Sequence, residues 1–154
     1  MAPLVYLDVC CLNRLFDDHR QLRVRLEAEA VREVLRAVAA GRVRWLGGPT
    51  LDLEIARNPN LERRRQVAAL AASATERIDL GAEAQARARV LHAAGLGTVD
   101  ALHWAAAEAG GADVLLTTDD RFERRATRIA PALTPLHAVH VRNPLTWVTE
   151  DLNR

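Results

Sequence analysis

Apolar positions along this chain follow two rhythms. Leu4-Val5-Tyr6-Leu7 and Val114-Leu115-Leu116-Thr117 are unbroken runs, the pattern of strands buried on both faces of a parallel sheet. Val43 to Leu46, Thr75 to Leu80 and Ala138 to Val141 read as further strands. Between them the spacing turns helical. From Gln21 to Ala40 a four-residue step runs through Leu22, Leu26, Ala30, Val34 and Val38, with Arg and Glu between, and Gly41 closes it. Thr50 is placed to cap a helix through Leu51, Leu53, Glu54 and Ile55 that ends near Asn58-Pro59. Asn60 to Ala72 and the alanine-rich Glu83 to Ala94 read as helices, the first with Arg63-Arg64-Arg65 on or near its solvent side. Thr98 is placed to cap the helix that ends at Gly110-Gly111, and Arg124 to Ile129 forms a short basic helix. Asn13 to Asp18 is a turn or helical piece, Pro131 and Pro135 flank a loop, and Asn143-Pro144 begins a terminal segment through Trp147. Strands alternating with helices predict an α/β domain with a parallel sheet covered on both faces.

Composition narrows the function without naming it. A chain of 154 residues fits one domain, long enough to bury roughly 68–70% of its unfolded surface. No apolar run approaches the ~18 residues of a membrane span, and MAPLVYLDV has no basic leader segment, so the expectation is a cytoplasmic protein off the membrane. Net charge is +1, so no global field points to nucleic acid, although an acidic cleft and a basic rim would cancel in that sum. All 21 basic residues are arginine. A GC-rich coding bias is the simplest explanation, ahead of a preference for bidentate phosphate contacts. The missing lysine excludes Walker-type nucleotide binding and a receiver domain. Gly95-Leu96-Gly97 follows a helix rather than a strand and makes a poor dinucleotide fingerprint. Cys10 and Cys11 are adjacent, start no C-x5-R loop because Phe16 and Asp17 stand at the arginine positions, and read as packing residues.

The carboxylates carry the chemistry. Asp8 ends the first strand and Asp119 follows the strand at 114–117. Asp100 opens the helix before that strand, and Glu54 lies on the helix after the second. Ligands collect beside the carboxyl ends of strands in open α/β sheets. Carboxylates crowded there repel one another unless a hard cation sits between them, and an oxygen-only set suits Mg²⁺ or Mn²⁺. No Cys/His set has zinc spacing. Taken singly, each acid has a plainer role: Asp8 a structural cap, Asp100 a first-turn acid, Glu54 a solvated helix residue, Asp119 with Asp120 a turn. His103, one turn after Asp100 on the same face, either orients a carboxylate or water or fills a hydrogen-bonded core position. Trp104 suits the core better than a base-stacking platform. Asn13 and Arg14 either reach a substrate phosphate or form a turn with an exposed arginine.

Four segments together resemble a PIN domain of the VapC-like toxin group. They are the opening YLDVCCLNRLFDD, the Glu54 helix, the block VDALHWAAAEAGGADVLLTTDDRF and the closing VRNPLTW. The resemblance covers essentially the whole chain and implies a single domain over residues 1–154. Its fold is the three-layer α/β/α type with a central, mostly parallel sheet. The implied activity is an Mg²⁺- or Mn²⁺-dependent endoribonuclease, as the toxin of a type II toxin–antitoxin pair. By motif, Asp8, Glu54, Asp100 and Asp119 take the family's catalytic and metal-holding positions, with Thr117 and Phe122 in register and Asp120 without a firm counterpart. Arg14 and Arg121 at the rim would position the RNA backbone. The implied partners are RNA, an antitoxin that offers an Arg or Lys to the carboxylates, and a second copy of the chain packed through the alanine-rich helices. One departure is Val9, where many relatives carry a hydroxyl residue directly after the first aspartate. It motivates a rival reading, a catalytically weak PIN-like RNA-binding or interaction protein.

Overall fold

The computed structural model describes residues 1–133 and 137–154, and its strands form one sheet in which every pairing is parallel. They are β1 (Leu4–Leu7), β2 (Arg44–Gly47), β3 (Glu76–Arg77), β4 (Val114–Leu116) and β5 (His140–Arg142), in the spatial order β3-β2-β1-β4-β5. The expected third strand shrinks to two residues, and the loop expected between Pro131 and Pro135 runs into residues 134–136, outside the described residues. Each side of the sheet is covered. Leu4 and Tyr6 of β1 pack into one apolar cluster with α5 (Ala82–Ala93), α6 (Thr98–Ala109) and α7 (Asp120–Ile129). Val5 and Leu7 point the other way, into a cluster with α1 (Val9–Asn13), α2 (Leu22–Ala39), α4 (Leu61–Ala71) and α8 (Pro144–Trp147). The period-2 alternation of a strand thus explains why β1 has no polar position: both of its faces are inside. The remaining helix, α3 (Pro49–Ala56), follows β2 with Pro49 in its first turn. Among the described residues no helix is long and apolar enough to cross a membrane.

Helix α2 corrects one expectation. Leu22 and Leu26 are 59% and 41% exposed, while Val24, Ala28, Val31 and Val34 are buried. At 100° per residue a four-residue step drifts by ~40° each time, so a line that is buried at Ala30 and Val34 has rotated off the sheet by Leu22. Helix starts also shift by a residue or more. Gly48 and Gly97, rather than Thr50 and Thr98, stand at the N-caps of α3 and α6, and α7 begins at Asp120, ahead of the expected Arg124. The Gly110-Gly111 turn was legible, and its two glycines serve different needs. Gly111 has φ +74°, in the left-handed region, whereas a Cβ at Gly110 would strike the Leu46 side chain.

The alanine-rich helices pack on each other within the chain. Ala84, Ala88, Ala101 and Ala105 are buried, so these faces are already covered in a single copy. Across this helix pair Arg87 Nε meets the buried carboxylate of Glu108 at 3.0 Å. Arg87→Ala would leave that carboxylate without its partner and is expected to cost about 3 kcal/mol. A fall of ~6–12 °C in the thermal midpoint would follow. An unchanged melting curve would show that the pair contributes nothing.

The chain moves outward from β1 to β2 to β3 on one side, then returns to lay β4 and β5 on the other. The reversal falls between β1 and β4, and the carboxyl ends of those strands form the crevice where this class of sheet binds ligands. Asp8 follows β1 there, and Thr117 to Asp119 follow β4.

Candidate active site

Asp8 is buried at the carboxyl end of β1. It stands at the N-cap of α1, yet its carboxylate makes no capping bond. Its backbone N–H donates to Leu116 O at 2.9 Å, and its Oδ2 accepts from the Thr117 hydroxyl at 2.9 Å. A buried carboxylate needs such a donor. Thr117 Oγ1 accepts in turn from the Asp119 N–H at 3.1 Å, so one hydroxyl ties β1 to the loop after β4. A hydroxyl from just past β4 therefore holds Asp8, separate from the one absent at Val9. Thr117 stands within the motif, but nothing in the sequence marks this role.

His103 is the second organiser. It is fully buried, its Nε2 bonds Glu54 Oε1 and lies 3.6 Å from Asp8 Oδ1, and its Nδ1 is 2.5 Å from the Tyr6 hydroxyl. A carboxylate can only accept, so Nε2 carries a proton; in the neutral ring Nδ1 accepts the phenolic proton of Tyr6. Burial opposes a charge on this ring. The hydrogen bond to Glu54 and the charges of Asp8, Glu54 and Asp100 outweigh it, and the His103 pKa rises above its ordinary value. Tyr6 shifts upward too, through burial and then the charge of Asp8, so its phenol stays protonated. Of the two sequence alternatives for His103, a buried residue that orients a carboxylate satisfies both.

Among the described residues, donor atoms of Asp8, Glu54 and His103 lie within 4.8 Å of one another. Asp100 joins them electrostatically. It sits half-buried in the first turn of α6, and its carboxyl is raised to about 6 by burial and then by Asp8 and Asp119, with His103 opposing and Glu54 adding. All three other acids thus act on Asp100. Asp119 has a structural duty as well: its Oδ1 accepts from the N–H groups of Arg121 and Phe122 at 2.9 and 3.3 Å and caps α7. Asp120 points elsewhere, paired with Arg23 at 2.7 Å, whose hydrogen bonds hold its carboxyl below the ordinary value.

Other candidates resolve on contact. Arg14 is not a rim residue, because its Nε reaches Glu27 at 3.0 Å and its Nη1 reaches Asp17 at 2.8 Å. Glu27, almost wholly buried, also accepts from Asn143 Nδ2 at 2.5 Å, so Arg14 belongs to a polar joint between α1, α2 and the start of α8. Arg63 likewise turns inward, onto Asp17 and the Phe16 carbonyl. Cys11 is a core thiol that donates to Leu116 O at 3.2 Å, and burial pushes its pKa well up. Trp104 is core, 5% exposed. Asn13 does border a hollow of about 380 Å³ beside Glu54, shared with Val9, Arg57 and Val99.

Two comparisons with known proteins return matches. The family model described as PIN domain matches residues 5–127. A chain in the crystal structure of VapBC2 from Rickettsia felis bound to a DNA fragment from their promoter is similar in fold, with a TM-score of 0.59 at 15% identity. The likeness covers 90% of this chain and 98% of that one. No curated protein matches the sequence.

Proposed function

Since this chain belongs to the PIN domain family, a family of nucleases, we propose that it is an endoribonuclease that hydrolyses RNA phosphodiester bonds with Mg²⁺ or Mn²⁺. The observation that carries the reading is the gathering of Asp8 and Glu54, with Asp100 feeling both, at the crevice between β1 and β4. The donor set fits a hard divalent ion. Its acids are oxygen ligands, and Asp100, raised by burial first and then by the charges of Asp8 and Asp119, stands among negative charges that a cation would relieve. Asp8, Glu54 and Asp100 would hold the ion, with Asp119 orienting the outer side of the site. An ion bound there supplies Lewis-acid stabilisation of the charge that builds on the phosphoryl oxygens.

The chain's own part is positioning. Thr117 fixes the Asp8 carboxylate, His103 fixes Glu54, and Tyr6 fixes His103 from inside the core. These groups need no reorganisation as charge develops, which is where electrostatic catalysis gains most. Thr117→Val removes the hydroxyl donated to Asp8 while keeping the side chain's shape. It is expected to lower cleavage or metal affinity by ~10–100-fold. Thr117→Ser should restore most of it, and equal rates for Val and wild type would remove Thr117 from the site.

Val9 supports the rival reading of a catalytically weak RNA-binding or interaction protein, while the Thr117 hydroxyl that holds Asp8 supports the nuclease. A toxin role with an antitoxin partner is supported by family and by the VapBC2 likeness in fold. We extend the proposal to a cytoplasmic setting and to a homodimer formed through a surface other than the α5–α6 alanine faces. The decisive test is cleavage of structured RNAs with Mg²⁺ or Mn²⁺ against the same reaction in EDTA. Cutting that is equal in both, or absent from both, overturns the proposal.

A further inference from the structure

None of the four site acids lines the groove beside α7. A groove of about 1100 Å³ lies between α7 and β5, and Arg121, Arg124, Arg125, Arg128, His140 and Arg142 line it. Phe122, Ala126 and Ile129 turn α7 toward the core, which leaves its four arginines at i, i+3, i+4 and i+7, on one face. Arg121, Arg124 and Arg128 are exposed and Arg125 is half-buried. Among the described residues none of the four makes an ion pair, and Thr134, Pro135 and Leu136 bring no carboxylate. Arg142 meets Glu150 at 3.3 Å on the surface, and the one acid lining the groove, Glu123, accepts from the Asn143 N–H at 2.5 Å.

Such a face works against its own helix. Arg121 and Arg125, and Arg124 and Arg128, are like-charge i,i+4 pairs, and Arg121 sits in the first turn, where the helix dipole disfavours a cation. An anionic ligand that bridges the guanidinium groups would reverse every one of these terms. The groove also starts where the acids end, because Arg121 lies two residues past Asp119. From Arg121 to Arg128 the helix rises ~10 Å, about three steps of a stacked nucleic-acid strand.

We infer that α7 and β5 form a track for the phosphate backbone of the RNA strand that leads away from the scissile bond. This deepens the nuclease reading and rests on it for the identity of the polyanion. The arginines grip phosphates without reading bases, so the track supplies affinity and register. The acids then see one phosphodiester of a strand already held on one side.

The test separates the track from the chemistry. Binding of a labelled single-stranded RNA 20-mer is measured by fluorescence anisotropy in EDTA, across a KCl series, with Asp8→Asn protein so that no strand is cut. Adding Arg124→Gln and Arg128→Gln is expected to weaken binding at least tenfold and to flatten the slope of log K against log salt by ~1.4, or ~0.7 for each lost contact. Both side chains are exposed, and the like-charge repulsion relieved offsets the loss of Arg124 beside Asp120 and of Arg128 in the last turn, so the variant should melt close to its parent and a loss of binding is not a loss of fold. In the Asp8 background of the native chain, the double variant should raise KM and leave kcat in place. Unchanged affinity and salt slope overturn the track even if the native protein cleaves RNA. Loss of binding in a protein that never cleaves RNA upholds the track and sinks the nuclease reading instead. A double variant that loses poly-glutamate binding but keeps RNA assigns the groove to an acidic protein, and overturns the inference.

Discussion

Asp8→Asn is expected to cut single-turnover RNA cleavage by ~10²–10³-fold, the usual cost of removing one preorganised electrostatic group from such a site. The substitution is nearly isosteric. An asparagine oxygen can still accept the Thr117 hydroxyl that now bonds Asp8 Oδ2 at 2.9 Å, and its amide can face Glu54. What disappears is one negative charge from a group of carboxylates that adds to the effect of burial in raising Asp100 to about 6. Removing that charge relieves the remaining acids, so the variant should melt at or above the wild-type temperature while its activity collapses. Activity and stability moving in opposite directions is the mark of a site where repulsion is tolerated for function. A cleavage rate within threefold of wild type would remove Asp8 from the chemistry, and a drop in rate accompanied by early melting would assign it to folding.

The second large effect concerns pH and metal together. Asp100 has its carboxyl raised from 3.8 to about 6 in the folded chain, by burial first and by Asp8 and Asp119 next. The folded state therefore binds this proton more tightly than the unfolded chain does. Its contribution to stability is fully present below pH 3.8 and is lost as pH rises through about 6. In EDTA, wild type should lose thermal stability relative to Asp100→Asn across that window and stay lower above it. His103 is raised in part by the Asp100 charge, so the difference between the two curves reports Asp100 together with its coupling to His103. Added Mn²⁺ should do the reverse. Ligands bind metal when deprotonated, so the ion stabilises wild type more at pH 7.5 than at pH 5. An ion present at 100 times its Kd adds about 2.7 kcal/mol, or ~5–11 °C for a chain of this size. Asp100→Asn should lose most of that increment. Parallel pH curves for the two proteins, or no Mn²⁺ shift in either, would show that the acids do not share one site.

How far the sequence reached depends on the range of the force that decides each feature. Strand β1 was legible because four consecutive apolar residues can only be buried on both faces, and the Gly110-Gly111 turn because a left-handed φ selects glycine locally. The phase of α2 was not, since Leu22 and Leu26 obey a helical step as well as Val24 and Ala28 do, and only the sheet beneath chooses between them. Arg14 shows the same limit: its partner Glu27 lies 13 residues away on another helix, and no local pattern marks that bond.

The acids themselves divide along this line. Their identity and their order came from the chain alone, because carboxylates beside strand ends and at a helix start are visible as residue types in a local pattern. Their arrangement did not. Thr117 reaches Asp8 over 109 positions, Tyr6 reaches His103 over 97, and His103 reaches Glu54 over 49. The first exists because the sheet sets the ends of β1 and β4 side by side, and the other two because α6 packs on β1 and against α3. The sequence determined which acids this protein carries and in what order, since that is written in side chains. The tertiary structure alone decided which side chains hold the others still, since a hydrogen bond senses distance in space and not separation along the chain.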